Sequence, residues 1–478
     1  HEKSTHGYKE GFATDNLYEL DAATKNDNVG GKAAEYALQS FFGRVNYNYD
    51  GRYLFEFNVR HDGSSRMPRE HRYATFPSFS GAWILTNESF MQNVEPLTYL
   101  KLRASWGKLG NQEIGNYAYT ATMAANYNYY FGDEKVIGMA ENIVANDNIK
   151  WETTTITDIG FDAAFWKGRF NVTFDYFNKI TSDILLKLSM PATFLGTLHA
   201  PYQNAGKVRN RGWELAVSYN DHKGDWNWQA GFSLSAVKNK IIDNKGIDTF
   251  SGETINREGN PIGSYFGLKA IGIYRTEEDL NRTNSQGAVI TQNGLAPSLG
   301  DIMYDDMDGS GNIDDGDRQI IGNPFPELTY SFNLGASWKN FDLSTFWQGV
   351  TGIYRYNWEQ ATITNGGNMT TRWLDRWSEA NPNGGMPRLG NSFNEKYSSF
   401  WLDKADYLRL KNIEVGYTFN KNLLRGLGIE NLRVYVQATN LLTITSLKNY
   451  DPEKSSGDTR GDVHPNTKSF SVGVNVKF

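Results

Sequence analysis

The stretch GRVNYNYDGRYLFEFNVR, residues 43–60, alternates polar and apolar residues on both sides of an Asp-Gly pair. Successive side chains of an extended chain point to opposite faces. Phe41, Gly43, Val45, Tyr47 and Tyr49 therefore share one side, and Arg44, Asn46 and Asn48 the other. Beyond Asp50-Gly51, Tyr53, Phe55, Phe57 and Val59 oppose Leu54, Glu56, Asn58 and Arg60. Asp-Gly tolerates the positive φ of a two-residue primed turn, so the stretch reads as a β-hairpin. Its apolar face meets either the core of a soluble sandwich or lipid.

The pattern recurs along the chain. Phe79, Gly81, Trp83 and Leu85 share a face, and Leu100, Leu102, Ala104 and Trp106 oppose Lys101, Arg103 and Ser105. Ile159 to Phe165 and Phe170 to Tyr176 flank a tight turn, as do Trp213 to Tyr219 and Trp226 to Leu234, and Tyr330 to Trp338 and Phe341 to Trp347. Three last strands are expected at 413–419, 432–438 and 470–478. Many run to about ten residues, the length a tilted strand needs to cross a bilayer, against a mode of about five or six in soluble sheets. Turns near 50, 167, 223 and 340 are tiny, whereas 62–75, 111–148, 180–204, 239–326, 351–405 and 442–466 are long. Short turns on one side and long loops on the other are the pattern of an outer-membrane barrel, with the short side periplasmic. The connections 86–96 and 420–431 are longer than that rule prefers. Tyr49, Tyr53, Trp106, Trp226 and Trp338, at strand ends, suit interfacial girdles. A soluble sandwich would instead bury these aromatics and carry long loops at both ends.

Composition narrows the classes. The chain has 478 residues, 39% of them hydrophobic and 14% aromatic, with 47 Gly. At a mean hydropathy of -0.57 it holds no apolar run of about 18 residues, which excludes a helical membrane protein. A net charge of -6 argues against a nucleic-acid partner. The absence of cysteine removes disulfides, zinc-thiolate sites and thiol catalysis. The seven His show no paired ligand spacing, and no GxSxG or phosphate-binding loop is present, so no enzyme is expected. The first residues, HEKSTHGYKEGF, have no apolar leader core and no Met, as in a chain that begins partway through a longer one.

Direction adds an inference. The strand ending at Asp50 descends into a short turn and the final strand also descends, so about thirteen strands start and finish alike. Such a set does not close antiparallel on itself, and an open edge in lipid leaves backbone amides unpaired at several kcal/mol each. The missing strands are expected from the N-terminal part of the same polypeptide.

One motif suits a metal. DMDGSGNIDDGD, 306–317, fits the calcium-loop template with Asp306, Asp308 and Ser310 as side-chain oxygens, Gly311 at the sharp turn, Asn312 offering its carbonyl, Asp314 reaching the ion directly or through water, and Asp317 closing the loop. Asp at the twelfth place is shorter than the usual Glu, and no helix pattern flanks the loop. The alternative is an acidic Asx-turn without Ca2+. Among loop aromatics, Tyr354, Tyr356, Trp358, Trp373 and Trp377 are candidates to stack on sugar or to meet a partner, although TTRWLDRWSEA also reads as a short amphipathic helix whose tryptophans are its buried side.

Several stretches resemble the C-terminal half of a SusC-like, TonB-dependent outer-membrane transporter of Bacteroidetes type: HDGSSRMPREHRYATFPSFSGAW, LKLRASWGKLGNQEIGNYAY, NAGKVRNRGWELAVSY, GDIMYDDMDGSGNIDDGDRQIIGNPFPELTYSFNLGASWKNFDLSTFWQG and LRVYVQATNLLTITSLKNYDPE, with a terminal Phe478. The resemblance covers 36–478, leaving 1–35 as a remnant of an extracellular loop. It implies an all-β transmembrane barrel of about 22 strands with a plugged lumen, to which this chain gives about 13, the plug and TonB-contacting segment lying outside these residues. It further implies import of a bulky nutrient, glycan or peptide, with a SusD-like surface lipoprotein as lid. A passive porin or a surface adhesin on the same wall remains the alternative, and would lack a plug.

Overall fold

Leu38–Tyr49 (β1) pairs antiparallel with Tyr53–Ser64 (β2), and Tyr49 faces Tyr53. Asp50 and Gly51 both have positive φ, 53° and 63°, and the Arg52 N–H donates to the Tyr49 carbonyl at 3.0 Å. The connection thus takes three residues, not the two expected. A two-residue turn would set Tyr53 opposite Asn48 and send the aromatic rows to opposite faces, because directly opposed residues share a face. Arg52 is the extra residue, and its guanidinium is held by Asp50 at 2.7 Å and Glu88 at 3.1 Å.

The computed structural model describes residues 2–12, 20, 23–91, 94–125, 127–188, 193, 198–357, 369–424, 426, 428–447, 451–454 and 464–478. Eleven further strands extend the hairpin into one sheet: Tyr73–Ile84 (β3), Leu97–Asn111 (β4), Glu152–Phe165 (β5), Phe170–Lys187 (β6), Tyr202–Lys223 (β7), Trp226–Asp243 (β8), Leu328–Trp338 (β9), Phe341–Thr351 (β10), Tyr407–Thr418 (β11), Asn431–Thr445 (β12) and Ser469–Lys477 (β13). Each pairs antiparallel with its neighbours in chain order, giving a 13-stranded meander with β1 and β13 at its edges. Because thirteen is odd, β1 and β13 run the same way, so the sheet as described is an open wall whose two edges each have one neighbour.

Register shows what each face is. Tyr53, Trp83, Leu102, Phe161, Phe174, Leu215, Leu234 and Tyr330 stand opposite one another in one row from β2 to β9. On the other face Thr173, Ala216, Ser233, Ser331, Gln348, Arg409 and Thr443 form a row from β6 to β12. A sandwich would bury the first face beneath a second large sheet. Among the described residues the other sheets have only two or four strands, and apolar side chains of the first face stay open, Phe55 at 56% and Ile159 at 59%. The aromatic rows therefore face outward. At the short-turn end Trp226 stacks on Trp338 and Tyr53 on Trp83, as an interfacial girdle requires.

The two overlong short-side connections hold local structure. Residues 85–91 form two 3-10 turns around Glu88, which accepts hydrogen bonds from Trp83 Nε1 (2.9 Å), the Tyr53 hydroxyl (2.8 Å) and Arg52. The second carries the helix Lys421–Leu424. Within 1–35, Glu2–Phe12 pairs with Ala23–Ala34 as a separate hairpin on the long-loop side of β1.

The long loops pack on each other. Tyr265, Ile302, Tyr304 and Ile313 from the β8–β9 loop share a core with Tyr356, Trp373 and Trp401 from the β10–β11 loop. Met67, Phe76, Ile114, Ile149 and Trp151 join the β2–β3 and β4–β5 loops in a second core.

Candidate functional site

Two places concentrate charge: an acidic loop on the long-loop side and the polar face of the sheet. The acidic loop runs between the short strands Ile302–Tyr304 and Gln319–Gly322, with no helix on either side, as its sequence suggested. Ile313 anchors it: its side chain is fully buried in the loop core, and Asn312–Ile313 pairs with Thr291–Gln292. The turn at Gly311 has φ 78°, which glycine adopts without penalty.

Within this frame oxygens of Asp306, Asp308 and Asp317 converge to within 4.8 Å of one another. Asp317 is fully buried and accepts from the backbone N–H groups of Met307 (2.7 Å), Asp314 (2.9 Å) and Asp308 (3.4 Å). Asp306 Oδ2 accepts from Gly311 N–H at 3.0 Å, while its Oδ1 is shielded from solvent and has no hydrogen-bond partner. Asp308 accepts from Ser310 N–H at 2.9 Å, and hydrogen bonds from that backbone and side chain hold its carboxyl below the ordinary range. The other candidates stand differently. The Ser310 hydroxyl donates to the Asn312 carbonyl at 3.1 Å, the Asn312 amide donates to Asp314 at 3.0 Å, and Asp314 Oδ1 accepts from Gly316 N–H at 2.8 Å. Three carboxylates, one with an unpartnered buried oxygen, suit a hard divalent cation; the Ser310 hydroxyl, the Asn312 carbonyl and Asp314 lie in the same loop and hydrogen-bond within it.

The aromatic candidates are core residues. Tyr356 is fully buried and Trp373 is 3% exposed, so neither ring presents a face to a ligand, and Tyr354 packs against the same cluster. Trp377 is half-buried and lies over Gly300, where an added β-carbon would fall 2.4 Å from its ring. Trp358 lies outside the described residues. The expected helix is reduced to a 3-10 turn, Thr371–Asp375, because Asp375 turns back to accept from Gly385 N–H at 3.0 Å.

On the polar face the strongest clusters escaped the sequence reading. Arg103 on β4 binds Asp175 on β6 at 2.7 Å and Asp162 on β5 at 3.2 Å, with Asp158 at 3.6 Å. Arg433 on β12 binds Asp342 on β10 at 3.0 Å and Glu414 on β11 at 2.6 Å. Alternation alone puts these residues on one face, and register is what brings them together.

Residues 4–441 match the family model described as TonB dependent receptor-like, beta-barrel. The chain belongs to that family. Such TonB-dependent receptor barrels sit in the outer membrane, which makes the outward aromatic rows of β1–β13 the lipid-facing surface. TonB-dependent receptor P3 of Formosa agariphila is 33% identical over 468 residues, covering 93% of this chain and 46% of that protein. TonB-dependent receptor SusC of Bacteroides thetaiotaomicron is 29% identical over 488 residues, covering 99% and 47%. Among solved structures, the RagAB peptide importer in its open-open state superposes with a TM-score of 0.82 at 28% identity, covering 98% of this chain and 50% of that one. The chain thus spans about half the length of the curated relatives it matches.

Proposed function

We propose that this chain forms part of the wall of an outer-membrane importer that draws a bulky nutrient, a glycan or a peptide, through the barrel in a TonB-dependent step. The observation that carries the reading is the superposition of nearly the whole chain on the RagAB peptide importer. In this reading the N-terminal half of the same barrel pairs with the edges at β1 and β13, a plug fills the lumen, TonB engages the plug side, and a SusD-like lipoprotein covers the long loops. The polar face supports passage of a hydrated cargo, since its Ser, Thr, Asn and Gln side chains offer both donors and acceptors. Deletion of the gene followed by growth on single glycans and on defined peptides tests the proposal. Loss of growth on one nutrient class identifies the cargo; undiminished growth on every one defeats the reading.

Calcium is the proposed occupant of the 306–317 loop. Asp306, Asp308 and Asp317 would hold it, and it would supply a crosslink between the two ends of the loop. Isothermal titration of the folded protein with calcium, beside an Asp306→Ala, Asp308→Ala double variant, tests this. Heat with the parent and none with the variant supports the site; absence of heat in both removes it.

A further inference from the structure

We propose that Arg209, Arg211, Lys238 and Lys240, with Lys108 beside them, form an outward-facing site for the phosphate groups of an anionic lipid in the outer leaflet. The residues fall in two adjacent rows across β4–β8. One runs Trp106, Thr157, Asn178, Arg211, Lys238, and the next Lys108, Thr155, Ile180, Arg209, Lys240. Each row lies on the lipid side, because Arg211 and Lys238 stand two residues beyond Trp213 and Ala236, which continue the outward row of Ile159 and Tyr176.

Depth fixes the level of the patch. Along β8 the outward positions from Trp226 to Ala236 are Trp226, Trp228, Ala230, Phe232, Leu234 and Ala236. At about 3.3 Å per residue and a tilt of about 45°, these cover roughly 23 Å of membrane thickness, close to the height of a barrel's apolar band. Lys238 and Lys240 follow at once, on the long-loop side. Along β7 the change is equally abrupt, from Tyr219, Val217, Leu215 and Trp213 to Arg211 and Arg209. The cations begin where hydrocarbon ends, at the height of head groups.

Their pairing is the second observation. Arg211 faces Lys238 directly and Arg209 faces Lys240 directly, and like charges so placed repel. No outward position in the two rows holds a carboxylate, and among the described residues none of the five cations has an ion-pair partner. The acidic groups at the loop ends of β6 and β8 are engaged elsewhere, Asp183 with Lys150 at 3.0 Å and Asp243 with Lys245 at 2.9 Å. A phosphate between the paired strands converts both repulsions into charge-assisted hydrogen bonds, with arginine forks suited to its geometry. The position selects a lipid phosphate over a soluble one, since the patch continues the lipid-facing surface and opens on no pocket of the polar face.

The test uses the full-length protein purified from the outer membrane in mild detergent, stripped of lipid and offered phosphorylated lipid A, its dephosphorylated form, or inorganic phosphate, with bound lipid read by native mass spectrometry. Parent protein is expected to retain lipid A, and a quadruple variant, Arg209→Gln, Arg211→Gln, Lys238→Gln and Lys240→Gln, to retain about tenfold less. Lys179→Gln, on β6 but on the polar face, is expected to match the parent. Relief of two like-charge contacts should leave the quadruple variant melting no lower than the parent in lipid-free detergent, and the exposed pair Lys238→Gln, Lys240→Gln alone should show an intermediate loss. Equal retention by parent and quadruple variant overturns the proposal. So does equal binding of the dephosphorylated lipid, or variant-sensitive binding of inorganic phosphate without binding of lipid A.

Discussion

The guanidinium of Arg103 lies across Gly160: a β-carbon on Gly160 would sit 3.1 Å from Arg103 Cζ and 2.4 Å from Asp175 Oδ1. Arg103, Gly160 and Asp175 are directly opposed on β4, β5 and β6, so the glycine on the middle strand is the gap through which the arginine reaches two strands away. The device recurs on β10–β12. Arg433 crosses Gly416 to reach Asp342, and a β-carbon there would fall 2.4 Å from Arg433 Nη2.

The two glycines differ in what an added methyl meets, which sets a rank order. At Gly160 it also meets the backbone carbonyl of Phe174 at 2.5 Å, whereas at Gly416 the three nearest atoms all belong to the mobile end of Arg433. Gly160→Ala should therefore push strands apart and cost about 1–3 kcal/mol. Gly416→Ala should only turn Arg433 aside and cost under about 1 kcal/mol, the scale of a partly exposed ion pair. Thermal unfolding of the full-length protein in detergent measures both, and an equal or reversed order refutes the crossing geometry.

In the acidic loop, Asp317 has a folding role in addition to its place among the three converging carboxylates, whereas Asp308 is exposed. Asp317 satisfies three backbone N–H groups from a fully buried position, so Asp317→Ala strands them at about 1–3 kcal/mol each and should loosen the loop even without calcium. Asp308 is exposed, and Asp308→Asn should spare the calcium-free loop while lowering calcium affinity. Hydrogen exchange across 306–317, with and without calcium, separates the two. Equal protection in parent and Asp317→Ala would contradict the structural role.

The pH dependence of that site has a definite sign. Hydrogen bonds from Ser310 hold Asp308 below its ordinary value near 3.8, so its charged form persists as pH falls through the range where a free aspartate protonates. A depressed folded value places the associated stability above the unfolded value, to be lost only as pH drops through the folded one. Calcium heat should be the same at pH 7 and pH 5, and the Asp308 contribution should survive at pH 3.8 and be lost only at lower pH. A fall between pH 7 and pH 5 would point to some other titrating group.

Much of the wall was legible because a side-chain period of two survives any curvature of the sheet. Alternation gave every long strand from Leu38–Tyr49 to Ser469–Lys477 and the sidedness of its loops. It missed the third turn residue at Arg52, because Asp-Gly looks the same in two- and three-residue connections and only register, read from Tyr49 against Tyr53, tells them apart. The aromatics of the β10–β11 loop were ambiguous for a different reason. Burial of Tyr356 and Trp373 depends on Tyr265, Ile302 and Tyr304, which lie fifty or more residues away. The acidic loop showed its convergent aspartates through spacing, since a twelve-residue loop fixes its own ends. The clusters at Arg103 and Arg433 involve three strands each and leave no local trace.

Residues 451–454, in the connection between β12 and β13, are held by a buried charge network whose rupture should be specific. Arg409 on β11 donates to Asp451 at 2.9 Å and Glu453 at 2.7 Å, and Lys411 adds a contact to Glu453 at 3.0 Å. Both Arg409 and Asp451 side chains are 4% exposed, so Arg409→Met leaves Asp451 buried without its cation, a loss on the order of 3–5 kcal/mol. Burial pushes the Asp451 carboxyl up, but hydrogen bonds from Glu453 N–H, Arg409 and Asn466 N–H outweigh it and keep the group below its ordinary value. By the same sign rule as above, the clamp holds at pH 5–7 and weakens only below about pH 3.8. Hydrogen exchange at residues 451–454 reads this directly: the parent is protected at pH 7 and pH 5, Arg409→Met exchanges faster at both, and unchanged protection in the variant would show that the segment is anchored by something other than this arginine.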